Sequence, residues 1–160
     1  FLNKINIIEI LNSYSLIEKY SINKIYPSSL EIKIIKTKFL AYVNDTNDNF
    51  FLGSNGKLIK TNNTKQKIPT IFGKFKTQDF FEFKKIIDAS ALNFNDIENL
   101  FYFNSGRWDV EMISGILIKL PKEKIKESLD IYNKILSNNN FKKINEIDLR
   151  QNNQIIINER

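Results

Sequence analysis

The sequence predicts an α+β fold, in which short antiparallel strands alternate with a few amphipathic helices. The clearest observation is a β-hairpin over 106–121, where apolar residues recur at every second position on both sides of a turn at Ser114-Gly115. Its inward positions are Trp108, Val110 and Met112 on the outgoing strand and Ile116, Ile118 and Leu120 on the returning strand. Pro121 closes the hairpin, because proline donates no ladder hydrogen bond, and is expected in the first turn of the helix that follows.

Two helical patterns support the mixed fold. Thr77 is expected to cap a helix that ends near Ala89, in which Phe80, Phe83 and Ile87 share one face. This aromatic stripe is typical of a core-facing helix rather than of a cofactor site. A second helix is expected after Pro121, with Ile125, Leu129, Tyr132 and Leu136 on one face and Ile135 beside them.

The first sixty residues predict one helix and several strands. A helix over 4–12 precedes a hairpin with strands at 19–26 and from Leu30, joined by a turn at Pro27. Short strands follow at 41–43, 50–52 and 58–59, and the last two are joined through Asn55-Gly56, a strong hairpin signal.

The C-terminal end predicts two strands, at 144–149 and 154–158. Ile155, Ile156 and Ile157 are hydrophobic and β-branched, which favours a strand. At the edge of a sheet, such a strand offers a free row of backbone groups to which another chain can add. Alternatively, residues beyond Arg160 would cover it.

Composition narrows the function classes. The net charge is +6 and the pI is about 9.4, but lysines and arginines are interleaved with acidic residues rather than clustered. The sequence has no cysteine and no histidine, which removes disulfides, thiolate ligands and the commonest general base and metal ligand. No apolar run reaches the roughly 20 residues that a membrane-spanning helix needs.

An enzyme has little support. Asp109, Glu111 and Asp148 are candidate acids, but the sequence places no two of them around a common point, and no glycines form a phosphate-binding loop. We therefore expect no catalytic residues, cofactor or metal. The alternative is a basic nucleic-acid-binding domain that uses exposed lysines with Phe and Tyr side chains.

Four motifs in order along the chain together carry a family resemblance. They are Ile22, Tyr26-Pro27, Leu30 and Ile32 in the first hairpin; Asn55-Gly56 after Phe50; Arg107-Trp108-Asp109 with Gly115 through Pro121; and Ile147-Asp148-Leu149-Arg150. With these motifs the chain resembles the extracytoplasmic region of the FtsQ/DivIB family of bacterial cell-division proteins. Two positions depart from the family pattern, because only Ala41 matches at the junction after Lys36, and Gln151 stands where an aromatic residue is common.

The resemblance implies two domains. Residues 1–38 would be the C-terminal part of a POTRA domain, and residues 39–160 would be the β domain, a curved, mostly antiparallel sheet backed by two helices. The rest of the POTRA domain, one transmembrane helix and a cytoplasmic tail would precede them. The protein would then be a single-pass protein of the inner (cytoplasmic) membrane, with this region in the periplasm or extracytoplasmic space at the division septum.

The resemblance also implies a non-enzymatic scaffold of the divisome. An FtsB-type protein, in complex with an FtsL-type protein, would add a strand at the C-terminal edge for septum formation; proteins of the FtsW, FtsI and FtsK types are further candidate partners. The expected partner-binding residues are Arg107, Arg150, Gln151, Ile155, Ile156 and Ile157. Ile156→Pro is expected to abolish partner binding without unfolding the core, because it removes one edge donor.

Two residues have structural alternatives. Arg150 could pair with Asp148 or Glu146 instead of with a partner, and the sequence leaves both roles open. Trp108, beside Arg107, is expected in the core, as large aromatic residues of strands usually are.

Overall fold

The computed structural model describes residues 4–44, 48–60, 66–137, 144–151 and 154–159. Its helices are α1 (Lys4–Ser13), α2 (Thr77–Asp88) and α3 (Ile125–Leu136). Its strands are β1 (Ile17–Ile25), β2 (Ser29–Lys36), β3 (Phe39–Asn44), β4 (Asn49–Gly53), β5 (Leu58–Lys60), β6 (Thr70–Phe72), β7 (Ile97–Tyr102), β8 (Trp108–Met112), β9 (Leu117–Lys119), β10 (Ile144–Asp148) and β11 (Ile156–Glu159). Within these residues, no helix has the length and apolar character needed to span a membrane.

The N-terminal helix and hairpin form as predicted. β1 and β2 pair antiparallel in a two-stranded sheet of their own. Ile7 and Leu11 of α1 are buried, and the Tyr20 hydroxyl of β1 donates to Asn12 Oδ1 of α1 at 2.9 Å. Helix and hairpin are thus held together by apolar packing and by a polar contact.

The other nine strands form one sheet in the order β11-β10-β9-β8-β7-β6-β3-β4-β5. The pairings of β9 with β10, β6 with β7 and β3 with β6 are parallel, and the other five are antiparallel. The sheet is therefore mostly antiparallel, and together with the helices it confirms the predicted α+β class.

The core lies between one face of this sheet and the helices α2 and α3. Its fully buried side chains include Phe80, Ile87, Leu129, Leu100, Val110, Ile118 and Ile147. Trp108 is buried, as predicted, and stacks on Phe83 of α2 with ring centroids 4.9 Å apart. The alternation along β8 thus fixes two faces, since Trp108 and Val110 turn toward the helices and Asp109 turns away.

Three expectations about the helices are wrong in detail. Thr77 does not cap α2; instead the Lys76 N–H donates to Asp79 Oδ2 at 3.0 Å, because a carboxylate three residues into the helix can reach back to that donor. Pro121 lies outside α3, which begins at Ile125. The buried face of α3 is centred on Tyr132 and includes Ile135, so Leu136 ends the helix 45% exposed.

The last strand begins two residues later than predicted, at Ile156. Gln154 N–H donates back to the Gln151 carbonyl at 3.5 Å, which keeps Gln154 in the connection between β10 and β11. Ile155 also precedes the strand. The run of three isoleucines therefore straddles the beginning of β11 rather than lying within it.

Candidate partner-binding edge

β11 lies at one end of the nine-stranded sheet, as expected for a strand that accepts another chain. It pairs antiparallel with β10, with Ile156 opposite Asp148 and Ile157 opposite Ile147. Within the ranges that the structure describes, no strand pairs with its other side. Neither proline nor lysine, two residues that commonly block sheet edges, occurs in β11.

The direction of the β11 backbone follows from its neighbours. The N–H of Leu149 donates to the Lys119 carbonyl at 2.9 Å, so at Leu149 the backbone faces β9. Because backbone groups alternate sides along an extended strand, at Asp148 they face β11. Asp148 and Ile156 then form a hydrogen-bonded pair, and the N–H and C=O of Ile157 face the open edge. The expectation that Ile156→Pro removes an edge donor is therefore wrong, since that donor belongs to Ile157.

The three isoleucines do not share one role. Ile157 points to the helix side and packs partly buried against the core, whereas Ile156 points to the opposite face and is 39% exposed. Ile155 is 46% exposed, and together with Gln151 it borders a groove of about 290 Å³ between α3 and the connection that precedes β11. Gln151 and Ile155 are thus brought together beside the edge.

Arg150 follows β10 directly and is paired with Asp148. Its Nε donates to Asp148 Oδ1 at 2.8 Å, its Nη2 donates to Oδ2 at 2.5 Å, and its backbone N–H also donates to Oδ1, at 3.0 Å. These hydrogen bonds hold the pKa of the Asp148 carboxyl below its usual range and raise the pKa of Arg150. Of the two acidic residues considered for Arg150, Asp148 is the one that it binds.

Arg107 has a similar arrangement but lies farther from the edge. Its Nε and Nη2 donate to Asp109 at 3.1 and 3.2 Å, and its guanidinium carbon lies 4.1 Å from the centre of the Phe103 ring. Arg107 precedes β8, the fourth strand from the edge, so it lies about 14 Å, or three strand spacings, from β11. The structure does not bring Arg107 together with the isoleucines.

A charged row crosses the face of the sheet that points away from the helices. The register places Asp109, Lys119, Asp148 and Ile156 side by side on β8, β9, β10 and β11. Lys119 Nζ lies 2.6 Å from Glu146 Oε2, so its charge is also paired. Burial raises the pKa of the Asp109 carboxyl, although Arg107 and Arg150 both oppose the rise.

The sequence indicated Asp109 and Asp148 as candidate acids, and Asp148 as a possible partner of Arg150, but it did not place either carboxylate in the partner-binding site. Both carboxylates are buried, and each holds an arginine two residues away in sequence. The spacings Arg-x-Asp at 107–109 and Asp-x-Arg at 148–150 were a usable signal, because residues two apart lie on the same side of a strand. Among the described residues, no three acidic side chains converge in a way that could hold a metal ion.

A family model and a solved structure match this chain. Residues 41–150 match the model of the family described as cell division protein FtsQ/DivIB, C-terminal. A search of curated proteins found no match to this chain. Among solved structures, the chain is similar to the major extracytoplasmic domain of the trans isomer of the bacterial cell division protein DivIB from Geobacillus stearothermophilus. That likeness has 19% sequence identity and a TM-score of 0.45, and it covers 63% of this chain and 92% of that one.

Proposed function

The chain belongs to the FtsQ/DivIB family of cell-division proteins, a family of non-enzymatic scaffolds, and on this premise we propose that it binds an FtsB-type protein by strand addition to β11. The partner would come in complex with an FtsL-type protein, and the assembly would serve septum formation. Proteins of the FtsW, FtsI and FtsK types are further partner candidates.

The open edge of β11 is the observation that carries this proposal. A strand that adds to a sheet takes its affinity from main-chain hydrogen bonds, and the N–H and C=O of Ile157 are directed to the free side. Ile156, 39% exposed, would meet a side chain of the added strand on the outer face. Gln151 and Ile155 border the groove on the helix side and would contact residues that flank that strand.

The two arginines would contribute in different ways. Arg150 follows β10 and lies two strand spacings, about 10 Å, from an added strand, which an arginine and an acidic side chain extended toward each other can bridge. Arg107 lies beyond the reach of a strand at the edge. It would contact a separate segment of the partner that crosses the end of the sheet where β8 begins.

We also propose that α1 and the β1–β2 hairpin belong to a POTRA domain that ends near residue 38, and that residues 39–160 form the β domain. The support is that β1 and β2 form their own sheet, whereas β3 begins the nine-stranded one. Ile10 and Ile34 are 56% and 48% exposed, which suits elements that pack within a larger domain.

We propose that this region lies outside the cytoplasmic membrane at the septum, which is the periplasm if the cell is Gram-negative. The sequence of this region has no cysteine, and Ile113 is 64% exposed, so Ile113→Cys gives this region one accessible thiol. The full-length protein carrying it should react in intact cells with a membrane-impermeant maleimide. Labelling that occurs only after lysis would place the region in the cytoplasm and contradict the proposal.

The binding test is isothermal titration of this chain with the extracytoplasmic segment of the FtsB-type protein from the same cell. We expect saturable binding that Ile157→Pro weakens at least about tenfold, because one main-chain hydrogen bond is lost and the edge geometry is disturbed. Ile157→Ala is the matched control, since it loses similar packing but keeps the edge N–H. It should bind within about threefold of the wild type.

Two outcomes would contradict the proposal that the partner adds a strand to β11. If Ile157→Pro keeps its fold by circular dichroism and binds as well as Ile157→Ala, the partner does not use this strand. Saturable binding of a random oligonucleotide with a steep dependence on salt would instead favour the nucleic-acid alternative. We expect no such binding, because the lysines and arginines are interleaved with acidic residues along the chain rather than clustered.

A further inference from the structure

We propose that Asp148 is a positioning residue, which holds the Arg150 guanidinium so that its remaining N–H groups receive a carboxylate of the partner. This inference rests on the proposed function and deepens it. It assigns Asp148 a role in affinity although Asp148 is buried and touches no partner itself.

The Arg150 guanidinium has more hydrogen-bond donors than Asp148 uses. A guanidinium carries five N–H donors in a fixed plane. Asp148 takes the Nε donor and one Nη2 donor, along the side of the guanidinium nearest the chain. The two Nη1 donors and the second Nη2 donor remain for an incoming carboxylate, which can approach end-on without displacing Asp148.

Asp148 and Arg150 differ in how much of each side chain is exposed to solvent. The Asp148 side chain is 8% exposed, whereas that of Arg150 is 40% exposed. The acid is thus the fixed end of the pair, and the arginine presents its outer edge to solvent. Because an arginine otherwise loses rotamer entropy when it is immobilised, holding it in advance lowers the cost of binding.

The two other cations near the Asp148–Arg150 pair are already neutralised by acidic side chains. Lys119 of β9, which lies opposite Asp148 of β10, is paired with Glu146 at 2.6 Å, and Arg107 is paired with Asp109. Of these three cations, Arg150 therefore has the largest exposed side-chain fraction, 40% against 25% for Lys119 and 23% for Arg107. It also lies nearest to the open edge, so it is the cation that an acidic residue near an added strand would meet.

The test is a double-mutant cycle measured by titration with the same FtsB-type segment. We expect Arg150→Ala to weaken binding about tenfold and Asp148→Asn to weaken it about fivefold. In the Arg150→Ala background, Asp148→Asn should have no further effect, because there is no guanidinium left to position. Arg150→Lys should bind no better than Arg150→Ala, since one ammonium cannot reproduce the fork that serves two carboxylates.

The control is Asp88→Asn, which removes the carboxylate of the Lys84–Asp88 pair on α2, a helix that lies on the other face of the sheet. It should leave the affinity unchanged. A purely structural role for Asp148 predicts losses that add in the double variant, and this result would overturn the inference. So would Asp148→Asn with an affinity within twofold of the wild type.

The two proposals fail in distinguishable ways. If the wild type does not bind the segment, the proposed function and this inference fall together. If the wild type binds and Ile157→Pro abolishes binding, while Asp148→Asn changes nothing, strand addition stands and only the inference fails. A segment whose acidic residues are replaced by their amides should bind the wild type and Asp148→Asn equally. Unequal binding would contradict the role proposed for Asp148.

Discussion

At the scale of single residues, Asp109 and Asp148 show how burial and pairing compete. Both carboxylates are buried, and both accept hydrogen bonds from an arginine two residues away. Desolvation is the larger effect on Asp109, so its pKa is raised, whereas the bonds from Arg150 are the larger effect on Asp148, so its pKa is lowered. Two similar pairs therefore have opposite effects on stability as the pH falls.

This contrast gives a prediction about acid stability. Because folding lowers the pKa of Asp148, the stability that it supplies is present above the unfolded pKa of about 3.9 and is lost as the pH falls below that value through the lower pKa of the folded state. The pKa of Asp109 is raised, so ionised Asp109 disfavours folding, and that penalty disappears as the pH falls toward the unfolded value. Asp148→Asn should remove the first effect and Asp109→Asn the second.

The measurement is urea unfolding between pH 3 and pH 7, an interval of about one unit below the unfolded pKa to three units above it. The free energy of unfolding of the wild type minus that of Asp148→Asn should fall as the pH falls. The same difference for Asp109→Asn should rise. Equal slopes for the two variants would mean that burial does not dominate at Asp109.

At the scale of elements, periodicity predicted most helices and strands because each uses a local pattern. The hairpin of β8 and β9 was predicted, since alternation puts Trp108 and Val110 inside and the turn at Gly115 supplies a positive φ of 82°. The residues at which elements begin and end were predicted less accurately than the elements themselves. The beginning of α3 could not be predicted from Pro121, because the first helical hydrogen bond runs from the Ser128 N–H to the Lys124 carbonyl, at 3.1 Å, so residues 121–123 only connect the hairpin to the helix.

The backbone direction of β11 could not be predicted from its own sequence. Whether Ile156 or Ile157 faces the edge depends on the pairing of β11 with β10, and the direction of β10 depends in turn on β9. A slip of one residue would exchange the two roles. The sequence thus predicted which strand lies at the edge but not which of its residues offers the free donor.

At the scale of the whole molecule, the β4–β5 turn connects α1 and the β1–β2 hairpin with the nine-stranded sheet. Asn55 Nδ2 donates to the carbonyls of Ser15 and Ile17 at 2.8 and 3.0 Å. The neighbouring Ser54 hydroxyl donates to Glu18 Oε2 at 2.7 Å. The sequence predicted Asn55-Gly56 as a hairpin turn, but the second role of the asparagine needs contacts that lie about 40 residues apart in the chain.

The last prediction concerns this connection. Asn55 Oδ1 accepts the Lys57 N–H at 3.1 Å, a bond within the turn. Asn55→Asp keeps that acceptor but loses both donors and turns a carboxylate oxygen toward two carbonyls, which should cost the connection about 2 kcal/mol. Amide hydrogen exchange should then quicken in α1, β1 and β2 and stay unchanged in β7, β8 and β9.

Asn99→Ala is the control, because it breaks the Asn99–Glu111 bond inside the sheet and should spare α1, β1 and β2. Uniformly faster exchange in Asn55→Asp would show that the turn stabilises the sheet itself, whereas unchanged exchange in all elements would show that apolar packing alone holds the two parts together.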